Sequence, residues 1–298
     1  MKIRFIKYRK IDRVKWDALI RQSPQALFYG LSIVYDTMCK RWGALVLGDY
    51  EAVMPLPYRR KFEMLPYIYQ PYFVQQSGVF AKSEISRELL EKFIKRIPKR
   101  FVRVNYHLNY GNSLEGTNKD WIITQRKSYQ IDLSSGYEVI RSHYSKDCIK
   151  NLKKIDNPEI IVTDDIQIEQ VISTYKEAYG QLNEKISDNK YERFALLVGL
   201  LEKLQKVEKL AIYHQQTLLA CGIFVKAFGR IHYCLGAPTK EGRAWSATHL
   251  LIDAMIRKYA SQNFYFDFEG SEIPNVAAFY KKFGPEENHF TMIEKGIV

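Results

Sequence analysis

In the stretch FDFEGSEIPNVAAFYKKFG, Phe266 to Gly284, two carboxylates stand two residues apart at the end of an apolar run. If that run is a strand, residues two apart share a face, so Phe266 and Phe268 take one side and Asp267 and Glu269 the other. Two carboxylates sharing a site push their pKa values apart, which suits acid–base chemistry. Glu269, next to Gly270, is the more reachable. For Asp267 the competing reading is a carboxylate inside the fold that bonds a neighbouring turn. The helix that follows carries Phe279, Tyr280 and Phe283, an apolar pattern at helical spacing.

Other chemistries find little support. The six histidines (His107, His143, His214, His232, His249 and His289) are scattered, without the spacing of a zinc site. His232 and Cys234 share a strand face in IHYC, but the sequence shows them no partner ligand. Cys39, Cys148, Cys221 and Cys234 form no CxxC pair and no disulfide framework, which fits a reducing cytoplasm, the expected location. No metal is expected. No P-loop, GxSxG elbow or GxGxxG follows a strand. No apolar run approaches a membrane span, and MKIRFIKYRK has no signal-peptide core.

The formal charge of +12 points to anionic partners, or to a protein that is merely basic. A basic helix is expected from about Gly136 to Lys154. Its Lys146, Lys150, Lys153 and Lys154 fall on one face, able to meet tRNA phosphates or an anionic lipid-linked precursor, or simply to face solvent.

These residues need elements to hold them, and the elements repeat. WGALVLGDYEAVMPLPYRR from Trp42 and LAIYHQQTLLACGIFVKAFG from Leu210 both read strand, turn, strand. Strands IYQPYF and IHYCLG begin at Ile68 and Ile231, helices at Ser83 and Ser246, and further strands at Phe101 and Phe264, all at one offset. KIRFIKYRKIDRVKWDALIRQ from Lys2 and EIIVTDDIQIEQVISTYKEAYG from Glu159 each read strand then amphipathic helix. Each unit is therefore β-α-(α)-β-β-β-α-β, a mixed α/β arrangement. The expected division is residues 1–128 and 129–298, the second including the connecting strand and the basic helix, with no low-complexity linker between close-packed units.

That order of elements resembles the GNAT acyltransferase fold, and two copies in one chain resemble the FemAB-like tandem-GNAT proteins over nearly its whole length. SYQIDLSSGYEVIRSHYSKDCIKNLKK looks like the FemAB-type entry to the second repeat. YFDFEGSEIPNVAAFYKKFG looks like that family's strand, Gly and helix ending in Phe-x-x-x-Phe-Gly. Asn275, Ala278, Tyr280 and Gly284 resemble the GNAT Asn-x-x-Ala…Tyr…Gly helix at a spacing two residues shorter than usual. The resemblance implies an α/β protein of two tandem GNAT-like units that transfers an acyl group from acyl-CoA, or an aminoacyl group from aminoacyl-tRNA, to a small-molecule or peptide amine.

It also implies roles. Glu269, and less so Asp267, would be the base, and Tyr280 the general acid. The CoA pyrophosphate would sit where a strand meets a helix start, in PTKEGRAWSATHLLID, on Gly242, Arg243, Ala244, Ser246 and Ala247. This turn departs from the family's Gln/Arg-x-x-Gly-x-Gly/Ala, having one glycine and the bulky Trp245; an ordinary helix start capped by Ser246 or Thr248 is the alternative. The first unit's counterpart, around Gly78 and Lys82, is less equipped, and no cofactor is expected there. Tyr67, Tyr69, Tyr72 and Gln75 of PYIYQPYFVQQSG would line the acceptor cleft or else pack a sheet edge. Two other readings stay open: a non-catalytic RNA- or tRNA-binding protein on the same fold, and a degenerate partner protein.

Overall fold

The computed structural model describes all residues except 63, 115, 117–119, 181–185, 271 and 297–298. The chain divides into two compact units, Met1–Lys127 with His289–Val298, and Ser128–Asn288. The sequence order had placed the last ten residues in the second unit; they group with the first.

The first unit runs β1 (Ile3–Lys7), α1 (Arg13–Gln22), α2 (Ser32–Met38), β2 (Trp42–Leu47), β3 (Ala52–Lys61), β4 (Leu65–Ile68), β5 (Phe80–Ala81), α3 (Arg87–Lys95) and β6 (Arg103–His107), and then enters β7 (Ile122–Asp132). Asp12 caps α1 by accepting from the Val14 and Lys15 N–H groups, and Ser86 caps α3 through the Leu89 N–H. Leu90, Phe93 and Ile94, at helical spacing, are the face of α3 that is buried. Strands β1 to β4 form an antiparallel meander, and β4 pairs parallel with β6 after the α3 crossover. Around this sheet lies a core that includes Leu45, Met54, Phe93, Tyr106 and Ile293.

One expected strand is shorter than its sequence suggests. IYQPYF leaves the sheet after Ile68, because Pro71 has no N–H to donate and Phe73 takes a left-handed φ of 60°. The chain rejoins β3 only at β5, and on the way Ser77 bridges to Leu108.

The second unit begins within β7 and continues with α4 (Tyr137–Ser142), α5 (Lys146–Ile155), β8 (Ile160–Thr163), α6 (Ile168–Tyr179), α7 (Asp188–Lys203), β9 (Val207–His214), β10 (Thr217–Ala227), β11 (Arg230–Pro238), α8 (Lys240–Ala244), α9 (Ala247–Tyr259), β12 (Tyr265–Asp267) and α10 (Pro274–Lys281), and then enters β13 (Glu286–Lys295). Strands β8 to β11 again form a meander, and β11 pairs parallel with β12 after α9. The order of elements predicted for the repeat is thus present in both units, with the short β5 added in the first and the short α8 in the second.

The strand that completes each sheet comes from elsewhere in the sequence. β12 pairs antiparallel with residues 130–132 of β7, and β6 pairs antiparallel with residues 292–295 of β13.

The expected single basic helix is two. Ser145 breaks it: its N–H donates to the Lys282 carbonyl, and its hydroxyl caps α5 through the Cys148 N–H. Lys146, Lys150, Lys153 and Lys154 do share an exposed face of α5, while Cys148, Leu152 and Ile155 are buried. Among the described residues no helix is long and apolar enough to cross a membrane.

Candidate functional site

Two strand neighbours in the second unit part company at a chemically loaded point. The parallel register of β11 and β12 runs through Arg230↔Tyr265 and Ile231↔Phe266 to His232↔Asp267, and stops. β11 continues to Pro238, but β12 ends. Beyond the last pair β11 carries a bulge: Phe224 faces Tyr233 and Ile223 faces Leu235, which leaves Cys234 as the extra residue. Bulges of this kind re-aim side chains and recur beside active sites.

At the parting point lie His232, Asp267 and Glu269. His232 Nδ1 is 2.8 Å from Glu269 Oε1 and 4.0 Å from Asp267 Oδ2. Arg230 Nη1 is 3.8 Å from Asp267 Oδ2 and donates to Gln130 Oε1 at 2.8 Å. Asp267 Oδ1 accepts from the Glu269 N–H at 3.1 Å and from Ser128 Oγ at 3.3 Å. The first of these bonds closes a turn of the kind Asp side chains make two residues ahead. It holds Glu269 at φ 52°, with Gly270 following at 55°. A non-glycine residue in the left-handed region costs about 1 kcal/mol or more, and such positions cluster at functional sites.

The expectation that strand alternation aligns the two acids therefore needs correcting. Glu269 lies past the end of β12, and the turn plus His232, rather than the pleat, brings the carboxylates together. His232 had been seen on its strand without a partner. Its signal was available: Arg230 and His232, two apart, mirror Asp267 and Glu269, two apart, on strands that the repeat makes neighbours.

Burial sets the electrostatics. His232 is 1% exposed, and its pKa is pushed down to about 4 by loss of solvent, against the pull of Asp267 and with a smaller push from Arg230. It is neutral at pH 7, and because a carboxylate only accepts, Nδ1 carries the proton that is donated to Glu269. Burial also raises the Asp267 pKa, with His232 pulling it back. The Glu269 side chain keeps 13% of its exposure, so of the two carboxylates it is the one within reach of solvent.

A stability test follows. The folded pKa of His232 lies below its unfolded value of 6.5. Between pH 6.5 and about 4 the unfolded chain therefore binds more protons at this site, and stability falls as pH falls through that window. A shift of this size corresponds to ~3 kcal/mol. Asp267, raised, acts in the opposite sense, since its protonation favours the folded state. In urea melts across this window, His232→Gln is expected to flatten the pH dependence relative to wild type. An unchanged slope would remove His232 as its source.

Tyr280 belongs to the core of the second unit. Its ring lies 4.8 Å from that of Phe268 and 6.2 Å from that of Tyr233. Burial, with help from neighbouring tyrosines and from Glu269 and Asp267, drives its pKa far above the ordinary phenol value. The geometry thus favours packing for Tyr280, the alternative the Phe279–Phe283 spacing had offered.

At the strand-to-helix turn the residues are engaged with the protein. Gly242 lies inside α8 against β10, where a Cβ would stand 1.7 Å from the Leu219 carbonyl oxygen. Arg243 donates to the Ala178 carbonyl at the end of α6, and its guanidinium sits 5.4 Å from the centre of the Tyr179 ring. The Ala244 carbonyl accepts from Lys154. Ser246 occupies the N-cap position of α9 at φ 58°, but its hydroxyl bonds Asn151 Oδ1 rather than the helix. Ala247 is buried. What this turn offers an anion is the start of α9 with Lys154 beside it.

In the first unit, Tyr67, Tyr69, Tyr72 and Gln75 are half-buried. The Tyr67 and Tyr69 rings are 6.3 Å apart, and the Arg59 guanidinium lies 4.2 Å from the centre of the Tyr69 ring. The Gln75 carbonyl meets His107 Nδ1 at 2.9 Å. The stretch around Gly78 is built into its own unit: the Ser77 N–H donates to the His107 carbonyl, that of Gly78 to the Tyr106 hydroxyl and that of Val79 to Asn112. Among the described residues no cluster of His, Cys, Asp and Glu is arranged to hold a metal.

No protein-family model matches this sequence, and no curated protein does. Solved structures do match. FemX aligns over 98% of this chain and 97% of its own, with a TM-score of 0.67 at 12% identity. The C-terminal domain of a putative lysylphosphatidylglycerol synthetase from Agrobacterium fabrum aligns over 96% and 92%, with a TM-score of 0.59 at 9% identity. A conserved protein of unknown function from Bacteroides thetaiotaomicron aligns over 99% and 100%, with a TM-score of 0.60 at 12% identity. The chain carries the FemAB-like, GNAT-type fold in two units.

Proposed function

We propose that this FemAB-like chain is an N-acyltransferase that moves an acyl or aminoacyl group from a CoA thioester or an aminoacyl-tRNA ester to the amine of a small molecule or peptide. The observation that carries the reading is the His232–Glu269 pair at the point where β11 and β12 separate, backed by the buried Asp267. Folds host many functions, so the likeness to FemX supports the architecture and the site must supply the chemistry.

In this mechanism the acceptor nitrogen attacks the donor carbonyl carbon, and the carbonyl becomes a tetrahedral oxyanion. Glu269 removes the proton that the nitrogen must lose. The carbonyl then re-forms as the C–S or C–O bond breaks, and the proton held by Glu269 passes to the departing thiolate or tRNA oxygen, which returns the base to its starting state. His232 holds the base by donating Nδ1–H to it, and Asp267 fixes the backbone from which it projects. Both are positioning residues. The α9 start, with Lys154, is the place for the anionic part of the donor. In the first unit, half-buried Tyr67, Tyr69, Tyr72 and Gln75 remain a proposed substrate-binding surface, and the protein works in the cytoplasm, where both donors are made.

Thermal unfolding with acetyl-CoA, CoA or bulk tRNA, at low and high salt, tests this reading. A ligand that binds only the folded state at a hundred times its Kd stabilises it by ~2.7 kcal/mol and raises the midpoint. A rise with CoA that survives salt supports the thioester donor. A rise with tRNA alone that fades with salt favours the ester donor, or the second reading of RNA binding without turnover, for which the charge of +12 and the engaged turn speak. Transfer of labelled aminoacyl groups to an amine panel separates those two. No rise with any ligand sinks the donor assignment.

A further inference from the structure

The β3–β4 hairpin of the first unit outruns its neighbour. Pairing of β2 with β3 ends at Trp42↔Pro57, whereas β3 and β4 stay paired from Tyr58↔Ile68 to Lys61↔Leu65. Its tip carries large apolar side chains in water: Phe62 is 78% exposed and Met64 77%. Leu65, beside them, is also exposed, as is Val102, whose N–H donates to the Pro66 carbonyl. Scattered single hydrophobes on a surface need no explanation, but adjacent ones at a projecting tip do.

The same end of the sheet gathers positive charge. Arg60 and Lys61 stand on the hairpin, Arg103 is the register partner of Tyr67, and Lys99 and Arg100 precede β6; all are exposed. Lys61 Nζ lies 5.5 Å from the centre of the Phe62 ring. Glu63, outside the described residues, is the one acid between Tyr58 and Tyr67 in the sequence. Apolar residues thus lead and cations stand behind them, with alkyl stems that can follow the apolar surface while their heads stay wet.

We propose that this hairpin is a membrane-surface anchor. Phe62 and Met64 enter the boundary of an anionic bilayer, while Arg60, Lys61, Lys99, Arg100 and Arg103 meet the lipid phosphates. Order and charge select this occupant. An anionic interface presents negative headgroups above an apolar layer, in the sequence that the tip reverses. A nucleic acid would reward the cations and leave Met64 and Leu65 without a role. The anchor stands independently of the transferase chemistry.

Co-sedimentation with vesicles of phosphatidylglycerol and phosphatidylcholine in equal parts tests it, with phosphatidylcholine vesicles as the comparison. Wild type is expected to pellet with the anionic vesicles and to be released by salt. The F62S/M64S variant is expected to bind at least tenfold more weakly, with an unchanged thermal midpoint because both side chains are exposed. The R60Q/K61Q variant is expected to lose several-fold. The proposal is overturned if wild type does not pellet, if it binds phosphatidylcholine equally well, or if F62S/M64S binds as wild type does. It is equally overturned if F62S/M64S loses a concentration-dependent dimer or tRNA binding instead, since the tip would then serve a second copy or a nucleic acid.

Discussion

Glu269→Gln is expected to lower kcat/KM for acyl transfer by about a hundredfold or more, the range over which a positioned general base contributes. The change removes the basic oxygen and little else. His232 Nδ1–H can still donate to the amide oxygen, and the backbone turn onto Asp267 does not involve the Glu269 side chain. The thermal midpoint should therefore stay near that of wild type, and donor-induced stabilisation should persist. Asp267→Asn gives the contrast. Its amide oxygen can still accept the Glu269 N–H, so activity should fall less, while the lost charge beside Arg230 and His232 should show in stability. Steady-state kinetics on the donor and amine found by the binding and transfer assays checks both. Wild-type turnover in Glu269→Gln would move the base elsewhere.

The largest expected effect on stability is at Gly242. An added methyl would stand 1.7 Å from the Leu219 carbonyl oxygen and 2.5 Å from its carbon, and both belong to the backbone of β10, where that carbonyl already accepts from the Thr239 N–H at 2.8 Å. No rotamer relieves that contact; either α8 or β10 must move. Gly242→Ala is expected to cost about 3 kcal/mol or more, at the upper end for overpacking. Gly199, in the middle of α7, has nothing within 4 Å of its missing Cβ, so Gly199→Ala should stabilise by about 0.5–1 kcal/mol on helix propensity alone. Urea unfolding of the pair is the measurement. If Gly242→Ala instead melted like wild type and lost only donor binding, the glycine would be serving a ligand rather than the packing of α8 on β10.

Gly242 also shows what was legible in the sequence. A lone glycine between a strand and a helix reads as a phosphate turn, because close approach of a ligand and close approach of the protein's own backbone demand the same residue. Element order was easier to read. Amphipathic spacing in α3 and turn residues in the hairpins are local signals, the nearly fixed offset between repeats adds to them, and the elements they mark are present in the structure. Three features needed tertiary information. The break at Ser145 depends on the Lys282 carbonyl, far along the chain. The meeting of His232 with Glu269 depends on the parallel register of β11 with β12. The burial of Tyr280 depends on Phe268 and Tyr233. The acids at Asp267 and Glu269 were visible from their spacing, but their neighbour was not, since a histidine on an apolar strand carries no mark of what lies across from it.

The borrowed strands impose an order on biosynthesis. β6 has its antiparallel partner in β13; Asn105 Nδ2 reaches Glu294 Oε1, 189 residues further along. A ribosome adding ~5–20 residues each second takes on the order of ten seconds or more to cover that distance. Throughout it, the nascent first unit displays one edge of β6 with its backbone groups unsatisfied, a template for wrong pairing. The second unit has no such wait, because residues 130–132, which flank β12, are made before the rest of it. The C-terminal half can therefore close as soon as it emerges, whereas the N-terminal half, first out of the tunnel, is the last to finish and the half with most need of a chaperone.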